Sequence, residues 1–150
     1  MLSDDLYCRS AGLSMDILSK EQRSRRMSSI RSKGNRSTEW RFRSALVRNG
    51  ISGWRMHVRA LPGVPDFVFP GLNIVIFIDG CFWHGCPKCR RPMPQTNRGY
   101  WTSKVKLNRE RGDRVNRLLR RKGFKVVRIW EHQVRTRSSL EKLLSKLLAG

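Results

Sequence analysis

Three of the four cysteines, Cys81, Cys86 and Cys89, fall within nine residues at C-x4-C-x2-C spacing, while Cys8 sits alone near the N-terminus. Thiolates are soft ligands, and a closed structural zinc site takes four tetrahedral Cys or His donors. The cluster therefore lacks one member. Among the three histidines, His57 precedes the sheet-forming segments and His84 lies inside the Cys81–Cys86 loop, where short-range geometry makes it an awkward co-ligand. His132 follows the last apolar strand and reaches the thiols if that strand lies beside 73–78. Cys8 as fourth ligand, and free thiols with a surface histidine, are the alternatives. A second signal is Asp66, which opens an apolar segment, with Asp79 closing the next one. Carboxylates at neighbouring strand ends of a basic protein suit a Mg²⁺ ion facing a phosphate; a turn-capping aspartate is the plainer reading. The third is Cys81-Phe82-Trp83-His84-Gly85-Cys86. Aromatics pinned in such a loop can stack on bases or wedge between them, or form a satellite core around the metal. His84, with an unperturbed pKa of about 6.5, is a candidate general base.

The elements that must position these groups follow from periodicity and turn chemistry. Ser19 and Gln22 are placed as a capping box at the start of a basic helical segment reaching about residue 32. With little apolar stripe, that segment reads as an arm (residues 19–35) lying on something other than this protein's own core. Residues 1–18 show no periodicity and read as an extension ahead of a single domain over 19–150. A helix is expected over 38–49, with Phe42, Ala45 and Leu46 on one face and Gly50 closing it. Strands are expected at 54–58, from Asp66 through Phe69, and at 73–78, the last apolar enough to be buried on both faces. A long basic helix over 100–122, with Val105, Val115, Leu118 and Leu119 as its contacts, precedes a strand at 124–130 and a closing helix over 139–148. The order gives an α/β domain with a mixed central sheet flanked by helices.

Composition narrows the partner. The 150 residues carry 32 Lys and Arg against 11 Asp and Glu, a formal net charge of +21, and are 39% hydrophobic. That supports a real core, and an excess of positive charge this large is self-repulsive unless a polyanion is the working partner. Nucleic acid is expected rather than a membrane, because no apolar stretch approaches the roughly 20 residues of a span and so large a basic excess is the electrostatic footprint of a nucleic-acid binder. Clustered thiols imply a reducing, cytoplasmic setting.

The stretches Leu61-Pro-Gly-Val-Pro-Asp-Phe67, Val75-Ile-Phe-Ile-Asp-Gly-Cys-Phe-Trp-His84, Tyr100-Trp101 and Arg128-Ile-Trp-Glu131 together closely resemble the very-short-patch repair (Vsr) endonucleases, over nearly all of the chain from about residue 15 to 148. The resemblance implies a restriction-endonuclease-like fold, a structural zinc, and Mg²⁺-dependent nicking of one strand of duplex DNA beside a T:G mismatch left by deamination of 5-methylcytosine, by a monomer. It makes Asp66 the metal-binding aspartate and His84 the base that activates water, with Glu39 contacting water held by the metal. Phe82, Trp83 and Trp101 match the aromatic wedge, Met27 an arm residue inserted from the opposite groove, and Cys81, Cys86, Cys89 and His132 the zinc ligands. Ile78-Asp79 stands where some members have Thr-His; the Ile78 backbone carbonyl remains able to bind the metal, and Asp79 puts an anion in place of a phosphate-contacting histidine. The competing readings are a non-catalytic zinc-containing nucleic-acid-binding module and a homing or restriction nuclease on the same fold.

Overall fold

The computed structural model describes residues 19, 21, 22, 25 and 38–148. The expected capping box forms: the Gln22 N–H donates to Ser19 Oγ at 3.2 Å and the Ser19 N–H to Gln22 Oε1 at 3.0 Å. Cys8, Met27 and the rest of the arm lie outside the described residues. Beyond them the chain runs α1 (Glu39–Arg48), β1 (Arg55–Met56), β2 (Phe67–Phe69), a 3-10 turn, β3 (Ile74–Asp79), α2 (Arg98–Arg121), β4 (Lys125–Trp130), a second 3-10 turn (Glu131–Val134) and α3 (Arg137–Leu148).

The strands form one mixed sheet in sequence order. β1 pairs antiparallel with β2, and β2 with β3, whereas β3 and β4 are parallel. A parallel neighbour requires a crossover, and α2 supplies it. Register runs from Ile74 opposite Lys125 to Asp79 opposite Trp130, so the segment after β3, which carries the cysteines, and the turn after β4, which carries His132, leave the sheet at one edge. The expected juxtaposition of these two strand ends therefore holds.

Alternation along β3 divides the core, since successive side chains of a strand point to opposite faces. Ile74 and Ile76 pack with Phe42, Ala45 and Leu46 of α1 and Leu140 and Leu144 of α3. Val75 and Phe77 pack on the other face with Leu119 and Val115 of α2. Burial on both sides is what the unbroken apolar run implied. Three details differ from expectation. β1 spans two residues instead of five, because His57 adopts a left-handed backbone (φ +50) that ends the extended chain. Leu118 is 41% exposed: one residue away from Leu119 is a 100° turn off the buried stripe. α3 starts at Arg137, two residues early, with the Thr136 hydroxyl accepting the Ser139 N–H at 3.3 Å. In the Leu61–Pro65 turn Gly63 has φ +73, and a Cβ there would lie 2.6 Å from Val115 Cγ1; only glycine lets this turn rest on α2.

Candidate metal centres and active site

At the shared edge of β3 and β4 the four expected ligands converge. His132 Nδ1 lies 3.3 Å from Cys81 Sγ, 3.7 Å from Cys86 Sγ and 3.4 Å from Cys89 Sγ. A tetrahedral zinc with bonds of about 2.3 Å to sulfur and 2.0–2.1 Å to nitrogen separates such donors by about 3.5 Å. The spacing fits a four-coordinate ion, and the four donor atoms lie within 4.8 Å of one another. Without a cation two of the thiols resist ionisation: burial raises the Cys81 thiol, and burial, then the neighbouring Cys81 and Cys86 sulfurs, push the Cys89 thiol up to about 12. Burial, reinforced by the Lys88 and Arg135 cations, lowers the pKa of His132 and keeps its ring neutral, as a ligand must be. Glu131 supports the cluster from beside it, accepting the Cys81 N–H at 3.2 Å and pairing with Arg135 at 2.6 Å.

A second group forms where α1 meets the start of β2. Glu39, His57 and Asp66 offer ligand atoms within 4.8 Å of one another, and His57 Nε2 is 2.8 Å from Glu39 Oε2. Glu39 is buried at 5% exposure, although it stands in the first turn of a helix; a buried carboxylate needs a partner of opposite charge or a proton. The Asp66 carboxylate accepts the Ile78 N–H at 2.7 Å, which fastens it to the end of β3. Burial, aided by the Glu39 charge, pushes its pKa up to about 6 against that hydrogen bond. Two crowded carboxylates beside an imidazole are a donor set that a divalent cation fits. Asp79 is not in this group. Its two oxygens accept Arg128 Nη1 at 2.6 and 2.8 Å, and Arg128 lies over the Phe77 ring at 4.7 Å. The third member is His57, which the sequence offers only as a histidine ahead of the sheet, with no link to the carboxylates; nothing in its spacing signals a partner 18 residues upstream.

His84 lies within the Cys81–Cys86 loop, half-buried, with Nε2 at 3.6 Å from Asp79 Oδ1. Burial lowers its pKa, opposed by Asp79 and reinforced by Arg128 and Arg109, so the ring is neutral and able to accept a proton at neutral pH. A cleft of about 280 Å³ opens beside it, lined by Asp79, Arg109, Arg128 and Trp130 among others. The loop carrying His84 is gripped from α2, whose Asn108 Nδ2 donates to the Trp83 carbonyl at 3.0 Å. Arg109 donates to the carbonyls of His84 at 2.9 Å and Gly85 at 2.5 Å. A Cβ on Gly85, itself at φ +59, would lie 3.0 Å from the Arg109 guanidinium. Phe82, Trp83 and Trp101 meet in one aromatic cluster with ring centroids 5.3–5.9 Å apart. Phe82 and Trp83 are half-buried, whereas Trp101 is 7% exposed and backs them from α2.

Comparison with known proteins agrees with this arrangement. Residues 15–91 match the family described as DNA mismatch endonuclease Vsr. The chain is 38% identical over 134 residues to the type II nicking enzyme V.XorIIP of Xanthomonas oryzae pv. oryzae, covering 89% of this chain and 96% of that protein. It is 42% identical over 115 residues to the type II nicking enzyme V.NaeI of Lentzea aerocolonigenes (74% and 68% covered). It is 34% identical over 125 residues to the DNA mismatch endonuclease Vsr of Escherichia coli (83% and 79% covered). With two carboxylates gathered beside an imidazole, three cysteines and a histidine that could hold a metal, and relatives of this similarity over most of its length, the chain belongs to the Vsr DNA mismatch endonuclease family and is a DNA endonuclease.

Proposed function

We propose that the protein is a monomeric, Mg²⁺-dependent enzyme of the cytoplasm that nicks one strand of duplex DNA beside a T:G mismatch, as in repair of deaminated 5-methylcytosine. In this reading residues 19–150 form a single restriction-endonuclease-like domain with residues 1–18 as an extension, residues 19–35 are a DNA-contacting arm that brings Met27 to the duplex, and the three cysteines with His132 hold zinc. The observation that carries it is the Asp66 carboxylate, held by the Ile78 N–H at the end of the strand that leads directly into the Cys81–His84 loop. Named relatives that nick DNA or act at mismatches support the same activity.

Asp66 and Glu39, with the Ile78 backbone carbonyl, would hold the Mg²⁺. When bound, such an ion stabilises charge on a scissile phosphate and lowers the pKa of water. His84 takes a proton on its neutral ring, and Asp79, 3.6 Å away, favours the resulting imidazolium. Arg128 Nη1 engages both Asp79 oxygens and fixes them, so Asp79 acts on His84 and not as a cation ligand. Exposed Lys and Arg side chains of α2 bind backbone phosphates, which positions the duplex without reading its sequence. Phe82 and Trp83, backed by Trp101, enter the stack, where a mispaired step is easier to open than a matched one.

Incubating the protein with Mg²⁺ on nicked-strand reporter duplexes, matched and carrying each mismatch, tests this reading. One nick beside T:G and little cleavage of matched DNA is expected. Binding without cleavage would favour the non-catalytic zinc module, and cleavage of matched DNA at a fixed sequence a homing or restriction nuclease. Trp83→Ala is expected to reduce the preference for mismatched over matched duplex roughly 5- to 150-fold, since base–aromatic stacking contributes about 1–3 kcal/mol. Should the variant lose its metal or unfold while its folded fraction keeps the preference, Trp83 belongs to the core around the metal centre.

A further inference from the structure

The Glu39–His57–Asp66 group contains one donor for which the reading above has no use. Its members come from three separate parts of the chain: the first turn of α1, the residue after β1 and the residue before β2. His57 is held there twice, its N–H donating to the Asp66 carbonyl at 3.4 Å and its ring meeting Glu39 at 2.8 Å. We propose that His57 is a direct ligand of the catalytic cation, so that the site is a mixed nitrogen–oxygen one that takes Mn²⁺ in preference to Mg²⁺. This rests on the reading of Asp66 as the residue that holds the cation.

Geometry is the first support. Adjacent ligands of an octahedral ion with bonds of about 2.1 Å lie about 3 Å apart, and the 2.8 Å between His57 Nε2 and Glu39 Oε2 matches such an edge. All three ligand atoms also lie within 4.8 Å of one another, close enough to face a single ion. Chemistry is the second. Mg²⁺ is a hard ion that favours oxygen and retains its waters, whereas imidazole shifts a site towards transition ions, and Mn²⁺ accepts carboxylate and imidazole together. Exposure is the third: the Glu39 side chain is 6% exposed and the His57 side chain 28%, so the ring is the member of the pair that solvent reaches.

The test uses intact, zinc-loaded protein, Mn²⁺ or Mg²⁺ alone as the probe, and electron paramagnetic resonance as a readout independent of cleavage. Wild type is expected to bind one Mn²⁺ showing hyperfine coupling to a directly bound imidazole nitrogen. His57→Gln should lose that coupling and bind Mn²⁺ about 10–100-fold more weakly, the usual effect of disturbing a metal's ligand shell, with Mg²⁺ affinity changed far less. His84→Gln should keep the coupling. Absence of nitrogen coupling in wild type, its survival in His57→Gln, or its loss in His84→Gln overturns the assignment and leaves His57 as a hydrogen-bond partner of Glu39. If His57→Gln does not fold, isotope labelling of histidine nitrogen in the otherwise unaltered protein and in His84→Gln decides the same point. Asp66→Asn separates the two readings: it should abolish Mn²⁺ binding, and binding that persists with nitrogen coupling intact would displace Asp66 while leaving His57 a ligand.

Discussion

Asp66→Asn is expected to abolish nicking while raising the stability of the protein. Loss of a carboxylate that holds the catalytic cation removes several kcal/mol of transition-state stabilisation, a thousandfold or more in rate, and the residual activity should not return at high Mg²⁺. The effect on stability follows from the same burial. In the folded chain Asp66 keeps its proton to about pH 6, against an ordinary value of 3.8. A raised carboxyl pKa penalises the folded state increasingly as pH rises from about 4 to 6. At pH 7 with no added divalent ion the penalty is on the order of 3 kcal/mol, which for this size corresponds to a Tm rise of about 6–12 °C in the variant. Thermal melts across pH check it: the advantage of the variant should shrink to nothing below about pH 4. His84→Ala offers the contrast, slowing nicking by roughly 10²–10⁴-fold, as expected for a lost general base, without that pH-dependent gain. Nicking by Asp66→Asn at the wild-type rate would remove Asp66 from the chemistry.

Cys86→Ser should be the most damaging change to the fold. Cys86 is 3% exposed, its N–H donates to the Cys81 carbonyl at 2.8 Å, and its carbonyl accepts the Arg90 N–H at 3.1 Å, so it is a metal donor within a tightly turned loop. Binding of a structural zinc contributes roughly 10 kcal/mol or more to the order of the segment that holds it, comparable to the whole stability of a domain. Elemental analysis should find about one zinc per chain in wild type and none in the variant, accompanied by loss of a cooperative melt. Cys8→Ser should retain the zinc; equal damage from the two substitutions would bring Cys8 into the centre instead of His132.

The cluster of three cysteines and a histidine was legible because its information is local. Three thiols within nine residues already sit together, and only His132 had to be brought from afar. That step depended on pairing the two most apolar segments, which the parallel register of β3 and β4 provides. Asp66 was legible for a similar reason, standing at the foot of a buried strand. His57 was not. It lies nine residues before Asp66 and 18 after Glu39 with no single helix or strand joining it to either, and a left-handed backbone marks its position. Asp79 is the converse case: its place with Asp66 at neighbouring strand ends suggests a shared cation, but Arg128, two residues before its β4 neighbour Trp130, engages both of its oxygens. Long-range polar pairings of this kind depend on register and side-chain reach, which hydrophobic periodicity does not encode.

The grip of α2 on the Trp83–Gly85 loop has a mechanical consequence. A helix of 24 residues is a rod about 36 Å long, studded on its outside with exposed cations that include Lys104, Arg111, Arg114 and Arg117. Asn108 and Arg109, part way along it, hold three successive carbonyls beneath the aromatic cluster and His84. The rod and the loop it clasps must travel together, so a duplex seated a fraction of an ångström off along the rod presents its stack to the aromatic tip at the wrong height. Grasping the backbone and probing the base pairs are in that sense one rigid-body measurement, with the helix as the caliper.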